Sequence, residues 1–273
     1  MLSGAEPLLL VGAGKMGGAL LDGWLENGLQ AAQVTVVDPG LPDRRRSELR
    51  RAGVRVAERA EEAAGRGYKA VVVAVKPQMM AETLPALPAL VTRDTIIVSV
   101  AAGIRVETLQ APFGGAQPVV RAMPNTPAQV GQGMTVALAN PHVTDTQRKL
   151  IDSMLGAVGK VAWTDDESLI DAVTAVSGSG PAYVFLLTEC LAEAGRKAGL
   201  PAELAEQLAR QTVIGAGALM AESPLPASEL RENVTSPNGT TAAALAVLMA
   251  DDGLQPLMIR AVEAARRRSV ELG

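Results

Sequence analysis

The sequence predicts an N-terminal α/β domain, doubly wound around a mostly parallel sheet, followed by an all-α C-terminal domain. Three observations predict it. Short apolar runs alternate with helical patterns through the first part of the chain, and a glycine-rich turn, Gly12-Ala13-Gly14-Lys15-Met16-Gly17, joins the first run to the first helical pattern. From about Asp165 onward the composition shifts to Ala, Leu, Glu and Arg at helical spacing with no clear strand. The boundary is placed near residues 163–167, and the domains are taken as residues 1–163 and 164–273.

The strands come first. Residues 8–11, 34–37, 70–75, 96–100 and 119–122 are short runs, most of them rich in β-branched residues and bounded by Gly, Pro, Asp or Lys, and they read as buried parallel strands. Helical patterns at 17–27 and 44–52 lie between the first three, and 79–90 and 106–110 offer further crossovers. Residues 135–139 and 160–163 add later strands, with 146–155 helical between them.

In the second domain the helices are expected at 186–198, 202–221, 241–250 and 254–272. Several are apolar on too much of their circumference for a surface helix, and 209–220 needs burial on nearly all sides. Helices with so little polar surface are expected to pack on another subunit, which predicts a homodimer or a larger assembly of dimers.

Composition narrows the function. With 273 residues, 48% of them hydrophobic, and a mean hydropathy of +0.19, the chain can bury a large core. Net charge is −4, and the basic residues are dispersed apart from Arg44 to Arg46 and Arg266 to Arg268, so the basic face of a nucleic-acid binder is missing. Two each of Trp, Tyr and Phe also argue against base-stacking platforms. One cysteine, Cys190, and one histidine, His142, allow neither an internal disulfide nor a Cys/His metal cluster. His142 sits in a turn-like stretch and is expected at the surface. Residues 1–7 show no charged region followed by a long apolar run, and 8–11 is too short for a signal or membrane segment, so a cytoplasmic location is expected.

The glycine turn carries the first chemistry. Gly12, Gly14 and Gly17 follow Val11 in the order G-x-G-x-x-G: Gly12 permits the tight turn, Gly14 lets backbone approach a pyrophosphate, and Gly17 allows close packing of helix on strand. Placed after the first strand of an alternating chain, the motif points to a Rossmann domain holding a dinucleotide, with Ala13, Lys15 and Met16 completing the loop. Asp38 ends the second strand, 21 residues after Gly17, where a carboxylate accepts from adenosine ribose hydroxyls and repels a 2′-phosphate; that favours NAD. Arg44, Arg45 and Arg46 follow closely, and they either hold a 2′-phosphate or form the solvated start of a helix, so NADPH and NADH both stay open. Ala74-Val75-Lys76-Pro77 and Ala101-Ala102-Gly103 end the third and fourth predicted strands at the carboxyl edge a ligand crosses. Asn125, in the rigid loop Met123-Pro124-Asn125-Thr126-Pro127, is placed to orient ligand or to form a turn.

Far downstream, Val234-Thr235-Ser236-Pro237-Asn238-Gly239-Thr240-Thr241 combines hydroxyls, a turn and the start of a helix near Thr240. Unpartnered N–H groups and the helix dipole there suit a carboxylate or phosphate, whereas the plain alternative is that Ser236, Thr240 or Thr241 caps the helix.

Taken in order, the glycine loop, 74–77, 101–103, 123–127, Val176-Ser177-Gly178-Ser179-Gly180-Pro181-Ala182-Tyr183 and Ser236-Pro237-Asn238-Gly239-Thr240-Thr241 resemble pyrroline-5-carboxylate reductase over nearly the whole chain. The last two motifs are the specific ones. The resemblance implies a helical dimerisation domain after the Rossmann domain, and reduction of 1-pyrroline-5-carboxylate to L-proline by NADPH or NADH. It further implies that Thr241 hydrogen-bonds the ring nitrogen while Ser236 and the backbone N–H groups of Gly239 and Thr240 hold the carboxylate. Asn238 replaces a glycine usual in the family, and Lys15 stands where many members carry Asn or Gln. Two other readings compete: a β-hydroxyacid dehydrogenase, which wants a catalytic lysine that only Lys197 offers, and a nucleotide sensor without turnover.

Overall fold

The computed structural model describes residues 7–272; the N-terminal segment 1–7, on which the expectation about a signal rests, lies outside these apart from Pro7. Strands β1 (Leu8–Val11), β2 (Val34–Val37), β3 (Arg55–Ala57), β4 (Ala70–Val73), β5 (Ile96–Ser99), β6 (Val119–Met123), β7 (Gly133–Ala139) and β8 (Gly159–Trp163) form one sheet in the order β3-β2-β1-β4-β5-β6-β7-β8. Every pairing is parallel except β6 with β7. The first six strands thus follow the Rossmann order, and the topology reverses between β1 and β4, where such folds bind dinucleotides.

All residues of β1, β2, β4 and β5 are buried, as continuous apolar strands covered on both faces must be. Alternation sorts them into two layers. Leu8, Leu10, Val36, Val72 and Val98 pack under Leu20, Leu21 and Trp24 of α1 (Lys15–Glu26), and the next residues in β1 and β4, Leu9, Val71 and Val73, pack with Tyr68, Met80, Leu84, Leu87 and Leu109 on the other face. Trp24 is fully buried, and its indole N–H donates to the Met154 carbonyl at 2.8 Å, tying α1 to α5 (Asp145–Gly156). A fully buried side chain of this kind contributes about 1.5–3 kcal/mol, so this layer is what holds α1 and its N-terminal glycine loop in place.

Between them lie α2 (Asp43–Arg51), α3 (Met80–Thr83) and α4 (Val106–Gln110). The crossover expected at 79–90 is broken: only α3 is α-helical, flanked by 3-10 turns Pro77–Met79, Leu84–Ala86 and Pro88–Leu90. Pro85 and Pro88 lack the N–H a continuous helix needs. Strand β3, absent from the sequence reading, is a three-residue edge strand with its first residue exposed, too short to register as an apolar run.

The chain divides into two compact units, Met1–Gly178 with Arg266–Gly273, and Ser179–Ala265. The sequence reading drew the line at 163. In the structure the first unit continues through α6 (Ile170–Val173) and a π-helical turn, Thr174–Gly178, because Ile170 and Ala175 are buried and Glu167 reaches the sheet. Its carboxylate accepts from the buried Arg121 at 2.8 Å and from the Val106 N–H at 2.9 Å.

The second unit comprises α7 (Gly180–Lys197), α8 (Ala202–Glu222), α9 (Ala227–Asn233), α10 (Thr240–Leu248) and most of α11 (Leu254–Leu272), whose end belongs to the first unit, with the Ser269 hydroxyl donating to Asp171 at 2.6 Å. Helix α7 begins six residues earlier than its apolar pattern, with Pro181 in its first turn. Helix α9, only seven residues, was not foreseen.

Among the residues of this unit only Ala192, Ala205 and Ala209 are buried apolar side chains, while Phe185 is 62% exposed, Ile214 53% and Val247 72%. A set of helices with so small a core does not stand alone. The continuous helical run Glu167–Lys197 is, by length and composition only, apolar enough to cross a membrane, with a mean hydropathy of 1.3 and 11% of its apolar window buried.

Candidate active site

The glycine loop is shaped by close approaches on two sides and open space on the third. Gly12 has φ +88°, a conformation that disfavours a side chain, and a Cβ there would lie 2.9 Å from the Ala74 carbonyl oxygen. A Cβ on Gly17 would collide with the Gly12 carbonyl oxygen and come within 3.0 Å of the Ala74 Cβ. At Gly14 an added Cβ meets nothing within 4 Å. Gly14 is the N-cap of α1 and no side chain caps that helix end, so the loop presents bare amides and room for a pyrophosphate. The residues fit a dinucleotide by this test.

Backbone bonds zip the neighbouring strand ends to this loop: Gly12 N–H to Val37 O at 2.8 Å, Ala74 N–H to Val11 O at 2.8 Å, and Val100 N–H to Val73 O at 3.1 Å. They hold Ala13, Asp38, Val75, Lys76, Pro77, Ala101 and Ala102 along one carboxyl edge of the sheet. Lys15, in the first turn of α1, and Lys76 are exposed and, among the described residues, form no ion pair. Met16, Val75 and Pro77 are half-buried, and Val11 and Ala101 are buried.

Asp38 points into the loop. One carboxylate oxygen accepts from the Ala13 N–H at 2.8 Å and the other from the Gly40 N–H at 2.8 Å. The three arginines that follow face carboxylates: Arg44 pairs with Glu48 at 2.9 Å, Arg45 with Asp22 and Glu48, and Arg46 with Glu58 at 2.6 Å.

Asn125 has a part unnoticed in the sequence. Its amide oxygen accepts from the Met134 N–H at 2.8 Å, and its amide nitrogen donates to the Ser177 hydroxyl at 3.2 Å and the Ser177 carbonyl at 3.3 Å. It clips the loop after β6 to the π-helical turn. In that turn Gly178 passes so close to Met123 that a Cβ would lie 2.6 Å from its methyl carbon. The sequence places Ser177 only within the motif 176–183; its pairing with Asn125 follows from the π-turn, which apolar periodicity does not announce.

In the second unit the turn Ser236–Gly239 closes through the Gly239 N–H to the Ser236 carbonyl at 3.0 Å, and α10 starts at Thr240 with Gly239 as N-cap. Asn238 has φ +58°, the one positive φ of a non-glycine among the described residues, so the asparagine takes the left-handed position a glycine usually fills. No side chain caps α10, and among the described residues the hydroxyls of Ser236, Thr240 and Thr241 have no hydrogen-bond partner. The capping alternative is therefore not what these residues do. The Gly239 amide is committed to the turn, while the amides of Thr240, Thr241 and Ala242 have no acceptor among the described residues.

Lys197 lies in the last turn of α7, its side chain 81% exposed and 3.7 Å from Glu193, with no place as a buried acid or base. His142 is exposed. Among the described residues no three His, Cys, Asp or Glu side chains gather as a metal site.

Comparison with known proteins finds matches for both parts of the chain. Residues 8–103 match the family model described as NADP oxidoreductase, coenzyme F420-dependent, and residues 167–272 match the model for pyrroline-5-carboxylate reductase dimerisation. A pyrroline-5-carboxylate reductase of Pseudomonas aeruginosa is 43% identical over 97% of this chain and 96% of its own length. The structure of a pyrroline-5-carboxylate reductase from Coxiella burnetii superposes with a TM-score of 0.91 at 35% identity, covering 98% of this chain and 99% of that one. A Plasmodium falciparum pyrroline carboxylate reductase with NADP bound gives a TM-score of 0.82 at 29% identity, covering 98% of each chain. The chain belongs to the pyrroline-5-carboxylate reductase family.

Proposed function

We propose that the turn before α10 holds the substrate of a reaction in which 1-pyrroline-5-carboxylate is reduced to L-proline, the last step of proline biosynthesis, while the carboxyl edge of the sheet holds NADPH or NADH. The observation that carries this reading is the N-terminus of α10, where three hydroxyls and three amides have no partner among the described residues.

The carboxylate of the substrate is held by the Ser236 hydroxyl and the amides of Thr240 and Thr241, aided by the helix dipole. Because the Gly239 amide already donates to Ser236, Gly239 contributes the close turn rather than a bond. The Thr241 hydroxyl accepts from the protonated ring nitrogen and fixes the face of the C=N bond. A bound reduced nicotinamide supplies the hydride. C5 of the ring accepts it, the π pair of the C=N bond moves to nitrogen, and the proton on nitrogen arrives with the iminium or from water. A basic imine needs no strong acid from the protein, which suits a site without a histidine.

On the coenzyme side, the amides of Lys15 and Met16 after Gly14 receive the pyrophosphate, and Ala13, whose amide donates to Asp38, shapes the loop beside it; Asp38 faces the adenosine ribose. Val11, Gly12 and Gly17 shape the loop. Ala74, Val75, Lys76, Pro77, Ala101 and Ala102 line the edge toward the nicotinamide, and Asn125 fixes the next loop. The apolar faces of α7 and α8 form the dimer interface of the family's dimerisation segment, and we read the run Glu167–Lys197 as part of that interface in a soluble enzyme. No role for membrane or nucleic acid enters the reading.

The test is incubation with 1-pyrroline-5-carboxylate and each reduced coenzyme, with product identified by amino-acid analysis. Proline formed in step with coenzyme oxidation is expected; coenzyme binding without proline would overturn the proposal and leave the hydroxyacid-dehydrogenase and nucleotide-sensor readings.

A further inference from the structure

We infer that this chain selects NADH over NADPH and that Asp38 makes the choice. The inference rests on the carboxyl edge of the sheet being the coenzyme site, and deepens that reading by naming which of the two coenzymes it takes.

A carboxylate at the end of β2 decides coenzyme class only if it stays where the ribose arrives. In a chain that takes NADPH it must turn away or be outweighed by cations. Here it is held from both sides: the Ala13 N–H and the Gly40 N–H each donate to a different oxygen at 2.8 Å. Turning it away would break two charge-assisted bonds and leave the Ala13 amide, next to the pyrophosphate loop, without its acceptor. Each oxygen keeps a lone pair, so the pinned carboxylate can still accept from ribose hydroxyls, and a 2′-phosphate would meet a fixed negative charge instead.

The cations that could outweigh it are engaged elsewhere. Arg46, its side chain only 13% exposed, is turned to Glu58 at 2.6 Å and to the Leu41 carbonyl at 3.3 Å. Arg45 bridges Asp22 of α1 and Glu48. Arg44 is the free-moving one, with its side chain 92% exposed and a single pair to Glu48 at 2.9 Å, which is weak at the surface. One mobile arginine against a pinned carboxylate does not make a 2′-phosphate site.

The experiment is calorimetric titration of the full chain with NADH and with NADPH, for wild type, Asp38→Ser and Glu48→Gln, each first shown folded by thermal unfolding. Wild type is expected to bind NADH at least tenfold more tightly. Asp38→Ser weakens NADH about tenfold and abolishes the preference, whereas Glu48→Gln, which frees Arg44 and leaves Arg45 its pair with Asp22 without touching Asp38, tightens NADPH severalfold and leaves NADH unchanged. Equal or tighter NADPH binding by wild type overturns the inference while leaving the coenzyme site intact, and so does a preference that survives in folded Asp38→Ser. Binding of neither coenzyme overturns the site itself and the inference with it. Should Asp38→Ser fail to fold, the wild-type ratio and Glu48→Gln decide.

Discussion

Alanine at Gly14 and alanine at Gly17 separate the coenzyme function of the glycine loop from its folding function. Gly17 sits inside α1, so the change to Ala gains about 1 kcal/mol of helix propensity. Against this, the new methyl collides with the Gly12 carbonyl oxygen and lies 3.0 Å from the Ala74 Cβ, and neither is the far end of a flexible side chain. Relief requires α1 to lift off β1, at an overpacking cost of about 1–3 kcal/mol or more, raised here because backbone must move. The expected net loss is about 1–2 kcal/mol, or roughly 2–8 °C in Tm for a chain of this size, together with weakened coenzyme binding. Gly14 has φ −66° and ψ −158°, open to alanine, and nothing lies within 4 Å of its added Cβ. Stability should therefore stay unchanged or rise by about 0.4–1 kcal/mol through the unfolded chain. Its methyl occupies the space through which the pyrophosphate approaches, so coenzyme affinity should fall about 10- to 100-fold, or roughly 1.4–2.8 kcal/mol. Denaturant unfolding and calorimetric titration of the two variants read both quantities. A folded Gly14→Ala that binds coenzyme as wild type does would refute the pyrophosphate placement; wild-type stability in Gly17→Ala would refute the close packing.

Three further expectations follow from other parts of the chain. Asn238→Val forces a β-branched residue to φ +58° and should cost about 1–3 kcal/mol in denaturant unfolding, while Asn238→Gly should lie within about 1 kcal/mol of wild type; equal stability of all three would contradict the left-handed turn. Ile214→Asp places a charge on an exposed apolar face of α8, and light scattering should show dissociation of the dimer; an unchanged mass would remove that face from the interface. The Asp166 carboxyl is held below its ordinary 3.8 first by the Ser168 hydroxyl and then by the Ser168 amide, both donating to it. Since the folded form has the lower value, its contribution is present above pH 3.8 and fades as pH falls through that lower value; Ser168→Ala should move the NMR titration midpoint of Asp166 upward, and an unmoved midpoint would contradict the assignment.

The parts of the fold that could be read from sequence are those where local pattern and tertiary burial agree. Residues 8–11 and 34–37 are runs buried on both faces, and they match β1 and β2 residue for residue. Where context decides, pattern failed. The 79–90 crossover looked helical in its apolar spacing, but Pro85 and Pro88 broke it into 3-10 turns. Residues 164–178 look helical and are, yet they pack with the sheet because Glu167 reaches Arg121 and Ile170 and Ala175 are buried there. The motifs of the site were legible because glycine and turn chemistry leaves a sequence trace. Hydrogen-bond assignments were not: nothing in the sequence shows that the Gly239 amide closes its own turn, that Ser177 answers Asn125, or that Asp38 is pinned rather than turned away.

The measurement that bears most directly on the account is steady-state kinetics of Thr241→Ala with 1-pyrroline-5-carboxylate, paired with coenzyme titration of the same variant. Loss of a bond that fixes the reacting nitrogen should lower kcat/KM about 100-fold, or roughly 2.7 kcal/mol, with coenzyme affinity unchanged and Thr241→Ser recovering most of the loss. Wild-type kcat/KM in a folded Thr241→Ala that still binds coenzyme would contradict the placement of the substrate at the start of α10.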